Sequence, residues 1–260
     1  FIIILRIHTF DAFSACEFSQ TRMNIVVDNG NTSTKVGIFD GDNLVDHKVF
    51  QSLAEVKALL EATEADNILV GSVRHDPSEI LSFSRAPGKF ILDHDLPLPI
   101  QNHYKTPKTL GVDRIAGVCG GLQLFPGFNT LVIDAGTCVT YDLIDAEKNY
   151  RGGAISPGLR MRFRAVHEFT ARLPLVGIPD NVSLWGDTTE SAIQSGVCYG
   201  MIAEMEGMIT AYQQQYGNLK TVLTGGDAPT FENRLKASIF ASPNLVLIGL
   251  NSILNHNVNR

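Results

Sequence analysis

The stretch Asn24-Ile-Val-Val-Asp28-Asn29-Gly30-Asn31-Thr32-Ser33-Thr34-Lys35-Val-Gly-Ile-Phe39 is written a second time as Thr130-Leu-Val-Ile-Asp134-Ala-Gly136-Thr137-Cys-Val-Thr-Tyr-Asp-Leu-Ile144. In each copy an apolar strand runs into Asp-x-Gly-polar and a return strand follows. A carboxylate at a strand end, a glycine that lets backbone come close, and clustered hydroxyls suit a metal-bound phosphate. Two copies of the phrase predict a duplicated α/β fold with a nucleotide held between its halves.

Working outward, three short strands are expected at Asn24–Val27, Lys35–Phe39 and Asn43–Phe50, with Asp40-Gly41-Asp42 as a tight turn. A helix over Leu53–Glu61, a strand over Asn67–Val73, a helix over Pro77–Phe83, a Pro-rich loop over Asp95–Thr109 and a helix over Asp113–Leu124 complete the first half. The second half repeats the order. Strands fall at Thr130–Asp134, Cys138–Ile144 and about Tyr150–Ile155, and a helix runs to about Thr170. A long helix then spans Thr188–Tyr216, with Asp187 as N-cap and Gly217 as its stop. Lys220–Leu223 reads as a strand, and Leu245–Leu250 as another apolar strand before a closing helix. The seam falls near Phe125-Pro126-Gly127, giving halves of residues 23–128 and 129–260. Residues 1–22, ahead of the first Met at position 23, are expected to take no part in the fold. Their Ile2-Ile3-Ile4-Leu5 run is too short to span a membrane.

Composition narrows the function. The 260 residues are 44% apolar and 18% charged, with a net charge of −6. That balance argues against a general nucleic-acid binder, which carries a basic face. Four cysteines, at 16, 119, 138 and 198, form no CxxC pair, so reduced thiols in a cytoplasmic protein are expected. The seven histidines show no HExxH spacing, which leaves no zinc signature.

Asp28, Gly30, Asn31, Thr32 and Lys35 make the first candidate site, able to wrap β- and γ-phosphates while Asp28 helps to hold Mg²⁺ through water. The alternative is an ordinary turn. No GxxxxGK[ST] loop occurs. Asp134, Gly136 and Thr137 repeat the arrangement from the opposite flank. In Gly111-Val112-Asp113-Arg114, Asp113 at a helix start is either an N-cap or an ionised acceptor for a substrate hydroxyl proton. Arg114 beside it could clamp a substrate carboxylate with its planar fork. Tyr104 walls a substrate pocket or is a surface tyrosine, and Trp185 is core or interface. Arg160, Arg162 and Arg164 read as a solvated or subunit-facing surface.

In order, Asp28-Asn-Gly-Asn-Thr…Lys35, Gly111-Val-Asp-Arg114, Asp134-Ala-Gly-Thr137, Gly152-Gly-Ala-Ile-Ser-Pro-Gly-Leu159 and Thr224-Gly-Gly-Asp227 resemble type III pantothenate kinase over residues 23–255. The resemblance implies an actin-like, ribonuclease H-like duplicated fold and ATP-dependent phosphorylation of pantothenate, the first step of coenzyme A biosynthesis. It implies that Asp28, Asn29, Gly30, Asn31, Thr32, Ser33, Thr34 and Lys35 form the ATP phosphate loop, with Thr137 a further ATP contact. It makes Asp113 the proton acceptor and Asp134 the position of a monovalent cation, K⁺ or NH₄⁺. Tyr104, Gly111, Val112, Asp113, Arg114 and Thr189 would contact pantothenate, in a homodimer whose pocket crosses the subunit interface. Cys138 departs from the small residue more usual there. Two alternatives remain: another small-molecule kinase of this fold, or an accessory transcriptional regulator of the same family.

Overall fold

The computed structural model describes residues 22–260. Residues 1–21, the bulk of the expected extension, lie outside the described residues. Strands β1 (Met23–Asn29), β2 (Thr34–Asp40) and β3 (Asn43–Phe50) form an antiparallel meander. Helix α1 (Leu53–Ala62) leads to β4 (Asn67–Ser72), and α2 (Pro77–Ser82) to β5 (Gly88–Ile91). Both later strands add in parallel on the other side, giving the order β3-β2-β1-β4-β5.

After β6 (Gln101–Asn102) and α3 (Val112–Leu124), the meander recurs as β7 (Asn129–Ala135), β8 (Cys138–Ile144) and β9 (Asn149–Pro157). Helices α4 (Leu159–Glu168) and α5 (Thr189–Tyr216) precede β10 (Leu219–Thr224), and α6 (Ala228–Glu232) precedes β11 (Phe240–Ala241). The second sheet runs β11-β10-β7-β8-β9-β6, so it repeats the first strand for strand and adds β6 outside β9. The duplication read from the two Asp-x-Gly phrases is present in the topology.

The last element, α7 (Leu245–Val258), corrects the reading of Leu245–Leu250 as a strand. Its apolar residues Leu245, Val246, Leu247, Leu250, Ile253 and Leu254 follow a helical period and are all buried. A short apolar run cannot be told from a buried helix by its first six residues. Although it ends the second half of the chain, α7 packs on β1 and β4 of the first sheet and against α3. Buried asparagines fix it there: Asn24 Nδ2 donates to Asn251 Oδ1 (3.1 Å) and Asn255 Oδ1 (2.8 Å), and Asn67 Nδ2 donates to Asn24 Oδ1 (3.0 Å). Gly249 lets α7 cross α3 at backbone contact, since a methyl group there would run into the Ala116 carbonyl.

Five layers result. Helices α1 and α2 cover one face of the first sheet through Ile25, Val27, Val56, Leu60 and Ile80. The α3–α7 pair lies between the sheets, touching Val26 and Leu69 on one side and Val132 and Val222 on the other. Helices α4 and α5 cover the outer face of the second sheet through Leu131, Ile133, Phe163, Met201 and Met205. Two other expectations are corrected. The N-cap of α5 is Thr188, not Asp187, in a reciprocal capping box with Ser191. The Pro-rich loop contains β6 and a single 3₁₀ turn at Pro107–Thr109.

Candidate active site

Side chains alternate along a strand, and Val26 and Val132 face the central layer, so Asp28 and Asp134, two residues on, face it as well. The acids therefore sit at the ends of equivalent strands of the two sheets. Asp113 joins them from the first turn of α3, and its charge is felt by both. Lys35, opposite Asp28 in the β1–β2 ladder, is the cation that acts on both Asp28 and Asp134. The two glycine corners meet directly: Thr32 Oγ1 lies 3.3 Å from Thr137 Oγ1. Two further segments close on the second corner. Asp227 N donates to the Ala135 carbonyl (2.9 Å), and Gly158 packs so closely on Gly136 and Thr137 that a methyl group would strike their carbonyls.

This crowding sets the electrostatics. Burial pushes Asp28 up to about 7, and the charges of Asp113 and Asp134 add to it against the pull of Lys35. Burial likewise pushes Asp134 up to about 6, opposed by Lys35 and aided by Asp113 and Asp142. Asp113 is also raised, by burial first; its Oδ1 accepts the Arg114 backbone N–H (2.9 Å), which partly offsets the shift. Desolvation outweighs the backbone hydrogen bond and the Arg114 charge, and Gly111, not Asp113, is the N-cap.

Other predicted residues take different parts. Asn29 is buried and spends its side chain inward, donating to Thr34 Oγ1 (2.7 Å) and accepting from Ser72 Oγ (2.9 Å) and His75 N (3.0 Å). It shapes the loop, and Thr34 is buried with it. The Ser33 carbonyl closes the turn by accepting Gly30 N (3.1 Å). Asn31 and Thr32 are exposed and Ser33 and Lys35 half-buried, so their side chains are the groups of this loop open to a phosphate. Gly111 and Val112 are half-buried at the start of α3, and Val112 packs against the central core.

Arg114 is not an open fork. It is buried, its Nε lies 3.0 and 3.1 Å from the two Asp142 carboxylate oxygens, and its Nη2 donates to Asp142 Oδ1 at 2.6 Å. The Tyr104 ring lies 5.6 Å from the guanidinium carbon and stacks on Tyr150. Sequence reasoning missed Asp142 and Tyr150. The available signal was a lone acid in the apolar strand Cys138–Ile144, which needs a partner once buried. Thr189 stands exposed in the first turn of α5, beside a groove of about 420 Å³ lined by Asn181, Leu184, Trp185 and Gln194. Trp185 is 76% exposed, so it is not core. Nor is Arg162 a solvated residue: it bonds Glu204 (2.5 Å) and Ser156 (3.0 Å).

Among the described residues no three His, Cys, Asp or Glu side chains gather as a ready metal cage. The donor set still fits a hard cation. Asp28, Asp113, Asp134 and Asp142 outnumber Lys35 and Arg114, and all their donors are oxygen. Beside Asp134 in the ladder, the Thr224 hydroxyl is buried with no partner among the described residues.

Duplicated sheets with paired Asp-x-Gly corners give the chain the actin-like, hexokinase-like duplicated fold. Solved structures agree on the fold: a Baf family protein from Campylobacter jejuni described as a transcriptional activator matches with a TM-score of 0.62 at 20% identity, covering 91% of this chain and 100% of that one. A ROK family glucokinase from Streptomyces griseus, in complex with glucose and AMPPNP, matches with a TM-score of 0.51 at 11% identity, covering 92% and 100%. The sequence profile of type III pantothenate kinase matches residues 24–211, and the type III pantothenate kinase of Phocaeicola vulgatus is 46% identical over 241 residues, 90% of this chain and 99% of its own. The chain belongs to the type III pantothenate kinase family, and is a kinase that uses ATP. No helix among the described residues is long and apolar enough to cross a membrane.

Proposed function

We propose that this chain transfers the γ-phosphoryl group of ATP to the terminal hydroxyl of pantothenate, forming 4′-phosphopantothenate for coenzyme A biosynthesis. The observation that carries the reading is Asp113 at the start of α3, within the field of both corner aspartates. A carboxylate raised toward neutral pH is a better proton acceptor than an ordinary one, and Asp113 takes the proton of the attacking hydroxyl. Lys35, Thr32 and Thr137 hold the phosphate oxygens from the two flanks and steady the in-line approach.

Asp28 would hold Mg²⁺, and Asp134 with the Thr224 hydroxyl would hold K⁺ or NH₄⁺; bound there, these cations neutralise charge on the phosphate oxygens. Tyr104, Gly111, Val112 and Arg114 line the pantothenate side. Thr189, distant in the chain and exposed, joins them across the interface of a homodimer. The halves 23–128 and 129–260 move as the two jaws, with α7 crossing back to the first. Free Cys119, Cys138 and Cys198 suit a cytoplasmic setting.

A coupled ADP-release assay with purified protein, ATP and pantothenate, run with and without potassium, tests this. The expected result is turnover that needs pantothenate and rises with potassium. A rate with hexoses and none with pantothenate would reject the assignment.

A further inference from the structure

Asp142 takes no role in the sequence reading, yet it is the most heavily engaged carboxylate beside the site. It is 1% exposed on β8, on the face it shares with Ile144 and the central layer. It accepts from Arg114 Nε and Nη2, and its Oδ1 also accepts from Tyr150 Oη at 2.6 Å. Tyr150 is fully buried and carries Tyr104 on its ring, with centroids 6.1 Å apart, while Tyr104 also lies against the Arg114 guanidinium. One carboxylate therefore fixes both groups of the pocket wall, one by charge and one through a stacked ring.

We propose that Asp142 is a positioning residue that aims Arg114 and Tyr104 at the carboxylate end of the acid substrate. This rests on the pantothenate reading above. A guanidinium is planar and rigid, so committing Nε and Nη2 to Asp142 fixes the direction of the remaining edge, which carries Nη1. An arginine on a free stem would lose rotamer entropy on binding; here that entropy is lost on folding, before substrate arrives. A buried ion pair kept only for stability gives no reason for this placement, because an apolar pair of like volume often serves as well.

The test is kcat/KM on two substrates, pantothenate and its neutral analogue with CH₂OH in place of the carboxylate, for wild type, Asp142→Asn and Tyr150→Phe. Asp142→Asn should lose about tenfold or more on pantothenate, through KM, while the KM for ATP stays within about twofold. The neutral analogue should change by less than about threefold, so discrimination between the substrates collapses. Tyr150→Phe should move the same way by a smaller factor, and it decides the matter if Asp142→Asn does not fold. Equal losses on both substrates, or a fall in kcat with the pantothenate KM unchanged, would overturn the assignment. A wild-type chain inert toward pantothenate rejects the functional reading instead; Asp142 is then judged by calorimetric pantothenate binding, where unchanged affinity in both variants rejects its role.

Discussion

At Asp113, position and environment can be separated by substitution. Asp113→Asn keeps the shape and removes the proton acceptor, so kcat should fall by about 10²–10⁴ with the KM for ATP little changed, read in the coupled assay. In the wild type, activity should fall as pH drops through a point higher than the usual value for an aspartate, because burial raises Asp113 and the base must be unprotonated. Asp28 shows the cost of such a site. Its carboxyl titrates near 3.8 when unfolded and about 7 when folded. Between those values the folded protein holds the extra proton, so stability falls as pH rises through that window and the loss is complete above it. Asp28→Asn removes the penalty, roughly 1–2 kcal/mol after allowance for the partly exposed tip. The variant should be inactive but melt a few degrees higher than wild type at about pH 8 and no higher at about pH 4, by scanning calorimetry. Asp28 and Asp134 were legible because each copy of the phrase repeats strand, acid and glycine. Asp142 and the inward turn of Asn29 were not, since a one-dimensional pattern does not show which polar side chain another will satisfy.

Among the elements, α3 and α7, far apart in the chain, cross at backbone contact. Gly249→Ala puts a methyl group into the Ala116 carbonyl, and neither backbone can retreat without parting the sheets. A loss of about 2–4 kcal/mol in urea unfolding is expected, against under about 1 kcal/mol for an exposed helix position. The strands of the meanders could be read from alternation and from the turn at Asp40-Gly41-Asp42. For α7, Leu245–Leu250 offers only an unbroken apolar stretch, and its identity is settled by tertiary contact with β1, β4 and α3. The short β6 and β11 have no local signature, because each exists only by pairing with a longer strand.

Over the whole molecule, two equivalent sheet ends bring acids into one field with fewer cations than carboxylates. Added Mg²⁺ or K⁺ should therefore raise the melting temperature at about pH 8, where Asp28 and Asp134 are ionised. The K⁺ part of that rise should vanish in Asp134→Asn; persistence of the full shift would place the ion elsewhere. The repeated strand order was predictable from the repeated phrase, whereas the return of α7 to the first sheet was not.

That return has a consequence for synthesis. Because α7 seals the first sheet and its asparagines clasp Asn24 and Gly41, that sheet stays open on one side until Leu245–Val258 has left the ribosome. The nascent chain must carry a half-covered β1–β4 surface until α7 has been made, because no earlier segment takes its place on β1.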